Sequence, residues 1–315
     1  MAHPDWSRLE HAYGTAHDLP ERLAGLLSGD PEVAGEALGV LDSAVLHQGT
    51  VSSATAPAAL FVASVLGDER TGIASESALP WDGRVRPLRA ALLEWLGAVG
   101  ESALLADDPA CREILPDLYR AVAPFLHNPE APVRTAALAA AGSLLPAPEL
   151  AGARSAVAES LMQDAPQRSA AERAHLALVL ARWGVPPRAL LTDSDPAVRA
   201  HAAVAESLDE DPAALAEVRA ALRDPDEVTG WFGGEGPQRS GWFLETLAAA
   251  LLRRTASFED VEAEARAIAA AAGTYARQAA IRTLLPRAFP PGRPPSPAAL
   301  RFRAALHRPR VRPVE

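Results

Sequence analysis

An all-α fold, an α-solenoid of stacked helical hairpins, is predicted by three observations. A helix-start signature recurs along the chain: Asp195-Pro196-Ala197-Val198-Arg199, Asn128-Pro129-Glu130-Ala131-Pro132-Val133-Arg134, Asp30-Pro31-Glu32-Val33 and Asp224-Pro225-Asp226-Glu227-Val228. The residues after the signature place apolar side chains at helical spacing, as in Val198, Ala202, Ala203 and Leu208, or Val33, Ala37, Leu38 and Leu41. The 315 residues are 49% hydrophobic but only 5% aromatic, and Ala and Leu outweigh the β-branched residues, which favours helix throughout.

The signature has a physical basis. Asp or Asn can accept hydrogen bonds from the free amides of a first helical turn. Pro at the next position loses nothing, because that amide has no partner inside the helix. Arg four or five residues on lies one turn away and is expected to reach back to the capping carboxylate. The expected caps are Asp30, Asn128, Asp164, Asp195 and Asp224, and the later ones lie 36, 31 and 29 residues apart. Such gaps suit helical-hairpin solenoids, whose repeats run to about 30–45 residues. The first gap, 98 residues, has room for two more units and an insertion.

On these residues the chain resembles the HEAT-repeat (armadillo-like) proteins, in particular bacterial ones with HEAT-like repeats related to bilin lyases, over roughly residues 18–286. The resemblance implies a superhelix whose inner helices line a concave surface. Members of the family mostly bind proteins or peptides there, and a few are enzymes.

Taken in order, Asp18-Leu19-Pro20-Glu21 opens a first helix that stops at Ser28-Gly29, and Asp30-Pro31 starts its partner, which ends near His47-Gln48-Gly49. A third helix covers about 54–66. A long break then runs from Gly67 to Arg86, and helix resumes over Leu88–Val99. Further hairpins are expected near 109–145, 149–183, 187–208, 212–253 and 257–286. Five prolines between Pro290 and Pro297 form a stiff linker before a last short helix to His307. The reading is therefore one repeat domain over 1–288, with insertions near 67–87 and 225–240, followed by a Pro/Arg-rich linker and cap helix or tail over 289–315.

Composition excludes several chemistries. There is no Lys and all 30 basic residues are Arg, as codons of a GC-rich bacterial genome favour; Schiff-base catalysis and a Lys-containing phosphate loop are ruled out. Cys111, the only cysteine, allows no internal disulfide and no cysteine zinc site, and is expected to be a buried apolar residue. Eight His are scattered, with one Glu172-x-x-His175 pair and no second, so no metal and no cofactor is expected. The N-terminus lacks a signal-peptide core, and the longest apolar stretch, Ala56–Gly67, is too short to span a bilayer, so a cytoplasmic protein with no membrane partner is expected.

Net charge is −10, unevenly spread: from Arg277 to the end nine Arg oppose one acid, Glu315, leaving the first 276 residues at −18. An acidic body argues against a nucleic-acid groove, except through the basic tail 277–315. That tail is expected to fold back on the acidic body as a cap or to meet an acidic partner.

Three stretches are candidate sites. Gly230–Phe243 holds four of the sixteen aromatics and five glycines; Trp231, Phe232, Glu235, Arg239 and Trp242 are the candidate binding residues, against the alternative that Trp242 and Phe243 fill core. The insertion offers Trp81, Arg84, Arg86 and Arg89, of which the arginines could clamp an anion or carboxylate, against a solvated loop. His47, followed by Gln48, Gly49 and Thr50, joins two helices, with His11, Tyr13 and His17 nearby in the first repeat; helix capping is the simpler role.

No catalytic constellation is present in sequence. The expected function is a non-enzymatic binding or scaffold protein offering an acidic concave surface to a basic or amphipathic protein or peptide, in a regulatory or toxin-neutralising role. The alternative is a HEAT-like enzyme, a small-molecule lyase or a DNA glycosylase-like protein, with its site around 225–243.

Overall fold

The protein is described here by a computed structural model that covers residues 4–76, 84–234, 240–271 and 274–307. It is 74% helix and 4% strand, so the chain is all-α. Two compact units divide it, 1–161 and 162–315.

Unit 1 begins with a two-residue ladder, β1 (Glu10–His11) against β2 (Gly14–Thr15). Helices α1 (Leu19–Ala24), α2 (Pro31–Val40) and α3 (Thr55–Val65) follow. In the insertion, β3 (Ala74–Glu76) pairs antiparallel with β4 (Val85–Pro87), with Ser75 opposite Arg86. Then come α4 (Leu88–Ala106), α5 (Pro109–Val122), α6 (Ala131–Leu144) and α7 (Arg154–Asp164), within which the division falls. Unit 2 holds α8 (Ala170–Arg182), α9 (Pro196–Ala203), α10 (Pro212–Arg223), α11 (Pro225–Gly230), α12 (Ser240–Arg253), α13 (Glu262–Ala270), α14 (Thr274–Ala288) and α15 (Pro297–Leu306).

The helices start where short polar side chains meet free amides. Asp30 accepts from the Glu32 amide at 2.9 Å, Asp195 from Ala197 at 2.8 Å and Asp224 from Glu227 at 3.0 Å. The same Asp-Pro device works at Asp108, which accepts from Cys111 at 2.8 Å, and at Asp211, which accepts from Ala213 at 2.9 Å. Two expected caps differ. Asn128 accepts from the Glu130 amide at 2.9 Å, but α6 begins only after Glu130, so Asn128 shapes the approach to the helix. Asp164 makes no capping bond; Ser169 and Glu172 cap the next helix, α8, reciprocally.

The signature arginines also differ from expectation. Arg199 does not turn back to the Asp195 carboxylate; its Nη1 donates to the Asp193 and Ser194 carbonyls (2.9 and 3.2 Å) and its Nε to Glu217 of α10 at 3.0 Å. Arg134 likewise donates to the Asn128 and Pro129 carbonyls, at 2.8 and 3.2 Å. The cap carboxylate is already engaged by amides, whereas the carbonyls just before the helix have no helical partner.

A second set of arginines closes helix C-termini, where carbonyls lack intrahelical donors and the helix dipole is negative. Arg89 donates to the Leu66 and Asp68 carbonyls after α3 (2.7 and 2.8 Å), and Arg154 to Leu145, Pro146 and Ala147 after α6 (2.6, 2.7 and 3.1 Å). Arg254 serves Ala203 and Ala205 after α9 at 2.6 and 3.0 Å, and Arg287 serves Leu252, Thr255 and Ala256 at the end of α12. Arg89 and Arg154 use two arms of the planar fork, Nε and Nη2, to span carbonyls that a point charge would not bridge in the same geometry.

Within each unit, packing is mostly between helices one or two places apart in the chain. In unit 1, α3 packs on α4 and α5, and α4 on α5 and α6. A Cβ on Gly97 would lie 2.9 Å from Ala140 Cα, and one on Gly100 would meet Leu144, so α4 and α6 run parallel at close range. In unit 2, α10 packs on α12 and α13, α12 on α14, and α13 on α15. Thr283 reaches Glu245 and Arg287 reaches Leu252 and Thr255, so α12 and α14 are parallel too. Such neighbour packing is compatible with a helical repeat. The apolar runs fill the cores, with one exception: Ala37, Leu38 and Leu41 are buried but Val33 is 41% exposed.

Candidate functional site

The aromatic-rich stretch gathers around a histidine. Asp224 starts α11, a helix of only six residues, and the chain then turns through Trp231–Gly234. Phe232 sits at φ 59°, in the left-handed region that a bulky residue rarely occupies, so its position is held by its surroundings. From α9, His201 lies face to face with Phe243 of α12, ring centroids 3.6 Å apart and planes 8° from parallel. Phe232 approaches the same imidazole at 5.8 Å and Trp231 at 6.3 Å, with Trp231 6.1 Å from Phe243.

His201 is 3% exposed, and its Nδ1 donates to the Ala197 carbonyl at 2.7 Å, so the neutral ring carries its proton there. Burial pushes its pKa down to about 4, against the carbonyl, which favours the charged form; His175 on α8 lowers it further. Burial brings His175 itself to about 4.

Trp231 and Phe232 are half-buried over this platform, and Trp242, one residue before the stacked Phe243, is 57% exposed. The Trp231 indole donates to Glu227 at 3.5 Å, a long bond. Asp224, Asp226 and Glu227 on α11 are exposed. Between Pro196 and Gly234 eight acids stand against three arginines. The surface thus pairs aromatic faces with carboxylates, which suits cationic or amphipathic groups by stacking and charge.

Of the residues singled out from sequence, Trp231 and Phe232 come together here. Trp242 faces solvent, while Phe243 is core at 2% exposure. Glu235, Arg239 and Trp81 lie outside the described residues. In unit 1, Arg84 and Arg86 converge on a carboxylate of the chain itself, Glu94, at 3.3 and 2.8 Å. Arg89 is spent on helix-end carbonyls and the Thr71 hydroxyl. His47 bonds the Ser43 carbonyl at 2.9 Å and meets Tyr13 edge-on at 5.7 Å, and Tyr13 meets His11 at 6.2 Å. The Tyr13 amide donates to His11 Nδ1, whose Nε2 faces Asp18 at 3.6 Å, so both nitrogens of that ring are engaged.

Among the described residues no group of three or more His, Cys, Asp or Glu side chains converges as a metal site. Glu172, beside His175 in sequence, is committed to the Ser169 cap. Cys111 is buried, and desolvation pushes its thiol up to about 12. Among the described residues no helix is long and apolar enough to cross a membrane.

Among the described residues of the basic tail, Arg277, Arg287 and Arg301 bond within unit 2. Arg301 of α15 pairs with Glu262 at 2.6 Å, and Phe302 is fully buried 5.4 Å from Phe258. Sequence reasoning missed His201. Its lone imidazole on an alanine-rich helix carries no local signal, because the stack on Phe243 joins residues 42 apart.

Comparison with family models, with curated proteins and with solved structures returned no match.

Proposed function

We propose that the chain is a HEAT-like α-solenoid that works without catalysis as a binding or scaffold protein, docking a basic or amphipathic protein segment. The observation that carries this reading is the half-buried Trp231 and Phe232 on the His201–Phe243 stack, next to the carboxylates of α11, with Trp242, the residue before Phe243, exposed. Tryptophan on a firm support is the residue type on which binding energy concentrates. The parallel neighbour packing of α4 with α6 and α12 with α14 supports the repeat reading.

The test is a tryptophan-fluorescence titration with an arginine-bearing amphipathic peptide and with its acidic counterpart. The basic peptide is expected to bind, more weakly as salt rises, and the acidic one not to. Trp242→Ala should cost about 2 kcal/mol, roughly thirtyfold in affinity, with unchanged helical circular dichroism. Equal binding of the two peptides, or full affinity in the variant, contradicts the proposal.

A further inference from the structure

A second feature of unit 2 stands apart from that surface. The end of α12 with residues 256–259, the second half of α14 and the proline-rich segment after it border an open groove of about 630 Å³. Small-molecule sites typically span about 300–1,000 Å³. Leu252, Phe258 and Pro290 give it apolar walls.

The polar groups around it are nearly all committed. Arg287 donates to three carbonyls at the end of α12. Ser257 forms a reciprocal cap with Asp260, at 2.9 and 3.3 Å. Glu259 accepts from Ser296, which holds its carboxyl below the usual range. Arg293 is different: among the described residues its guanidinium makes no ion pair and no hydrogen bond. The backbone that carries it is shaped by a turn. Pro290-Pro291-Gly292-Arg293 forms a turn closed by the Arg293 amide on the Pro290 carbonyl at 3.4 Å, with Gly292 at φ 72°. Proline second and a positive-φ glycine third is the sequence a type II turn requires. Pro294 and Pro295 then stiffen the exit.

We propose that this groove binds an amphipathic monocarboxylate, its apolar body against Leu252, Phe258 and Pro290 and its carboxylate on Arg293. One free guanidinium matches one carboxylate through a bidentate pair. Glu259 would oppose an anion, but Arg287 and Arg293 outnumber it in the lining.

Decanoate, below its micelle concentration, is the probe, measured by isothermal titration against the full chain with decanol as the neutral control. Saturable one-to-one binding is expected, at least about tenfold weaker for decanol and for Arg293→Glu. Arg293 is exposed, so the melting transition of the free variant should stay in place, and Arg293→Gln gives a second variant without charge reversal. Absence of saturable binding to the native chain overturns the proposal. So does decanol binding as tightly, or both variants keeping full affinity.

Discussion

At the scale of single residues, two glycines and two histidines decide the most. Gly97 lies against backbone: a Cβ would stand 2.9 Å from Ala140 Cα, so α4 and α6 must separate to admit it. At Gly100 the close contact is with a side chain rather than backbone, Leu144 Cδ2 at 2.6 Å and Cγ at 3.3 Å, and a side-chain end can shift where backbone cannot. Gly97→Ala is therefore expected to destabilise by about 1–3 kcal/mol, as overpacking does. Gly100→Ala should be near neutral, because the better helix propensity of Ala, about 1 kcal/mol, offsets the adjustment. Thermal melts of the two variants check this, and a Gly97→Ala protein at least as stable as the Gly100→Ala one would show that the helices are not so close. The histidines set a pH dependence. His175 and His201 have folded pKa values lowered by burial from 6.5 to about 4. Well above pH 6.5 neither state is charged and stability is complete. As pH falls from 6.5 towards 4 the unfolded chain takes up protons that the folded chain refuses, so stability is lost. The ceiling is about 3 kcal/mol per ring. Denaturant midpoints measured between pH 7.5 and 5.5 should fall, and fall less in His201→Phe; the lowered carboxylates, Asp193 from 3.8 and Glu149, Glu259 and Glu262 from 4.5, act below that range.

At the scale of elements, the arginine forks explain why an all-Arg basic set serves this fold. Arg89 joins the end of α3 to the start of α4 through the Leu66 and Asp68 carbonyls and the Thr71 hydroxyl. Arg89→Met should cost about 1–3 kcal/mol by leaving those carbonyls without a donor. Arg89→Lys should recover little, since an ammonium cannot span both. Urea unfolding of the pair tests this, and full recovery by Lys would reduce the fork to simple charge. The element scale is also where the sequence was most readable. Asp30, Asp195 and Asp224 start helices where their Asp-Pro pairs said they would, because an N-cap is settled by residues two or three apart. Asp211-Pro212 and Asp108-Pro109 carried the same signal. The arginine partners were not readable, because a cap carboxylate and a carbonyl two residues earlier are equally near in sequence. Only the folded turn separates them. Val33 misled for a similar reason: it falls on the helical period of α2, yet its face has no neighbour to cover it fully.

At the scale of the whole molecule, the all-α class and the order of helices follow from local chemistry repeated many times. The packing of helices one and two places apart in the chain is compatible with a helical repeat. The candidate site was legible only in part. Trp231, Phe232 and Trp242 stood out because glycines and aromatics cluster there, and Phe243 was weighed as core, which it is. His201 was hidden, since its role depends on α9, α11 and α12 meeting. The arginines of the insertion read as a clamp for a bound anion, whereas Arg84 and Arg86 pair with Glu94 of the chain itself. Binding at the aromatic surface of unit 2 is the central claim. Its most direct test is amide hydrogen exchange of the full chain with and without the basic amphipathic peptide, read by mass spectrometry. Slowed exchange concentrated in α11, the turn at Trp231–Gly234 and the first turns of α12 is the predicted result. Peptide binding with protection elsewhere, and none across those segments, would contradict it.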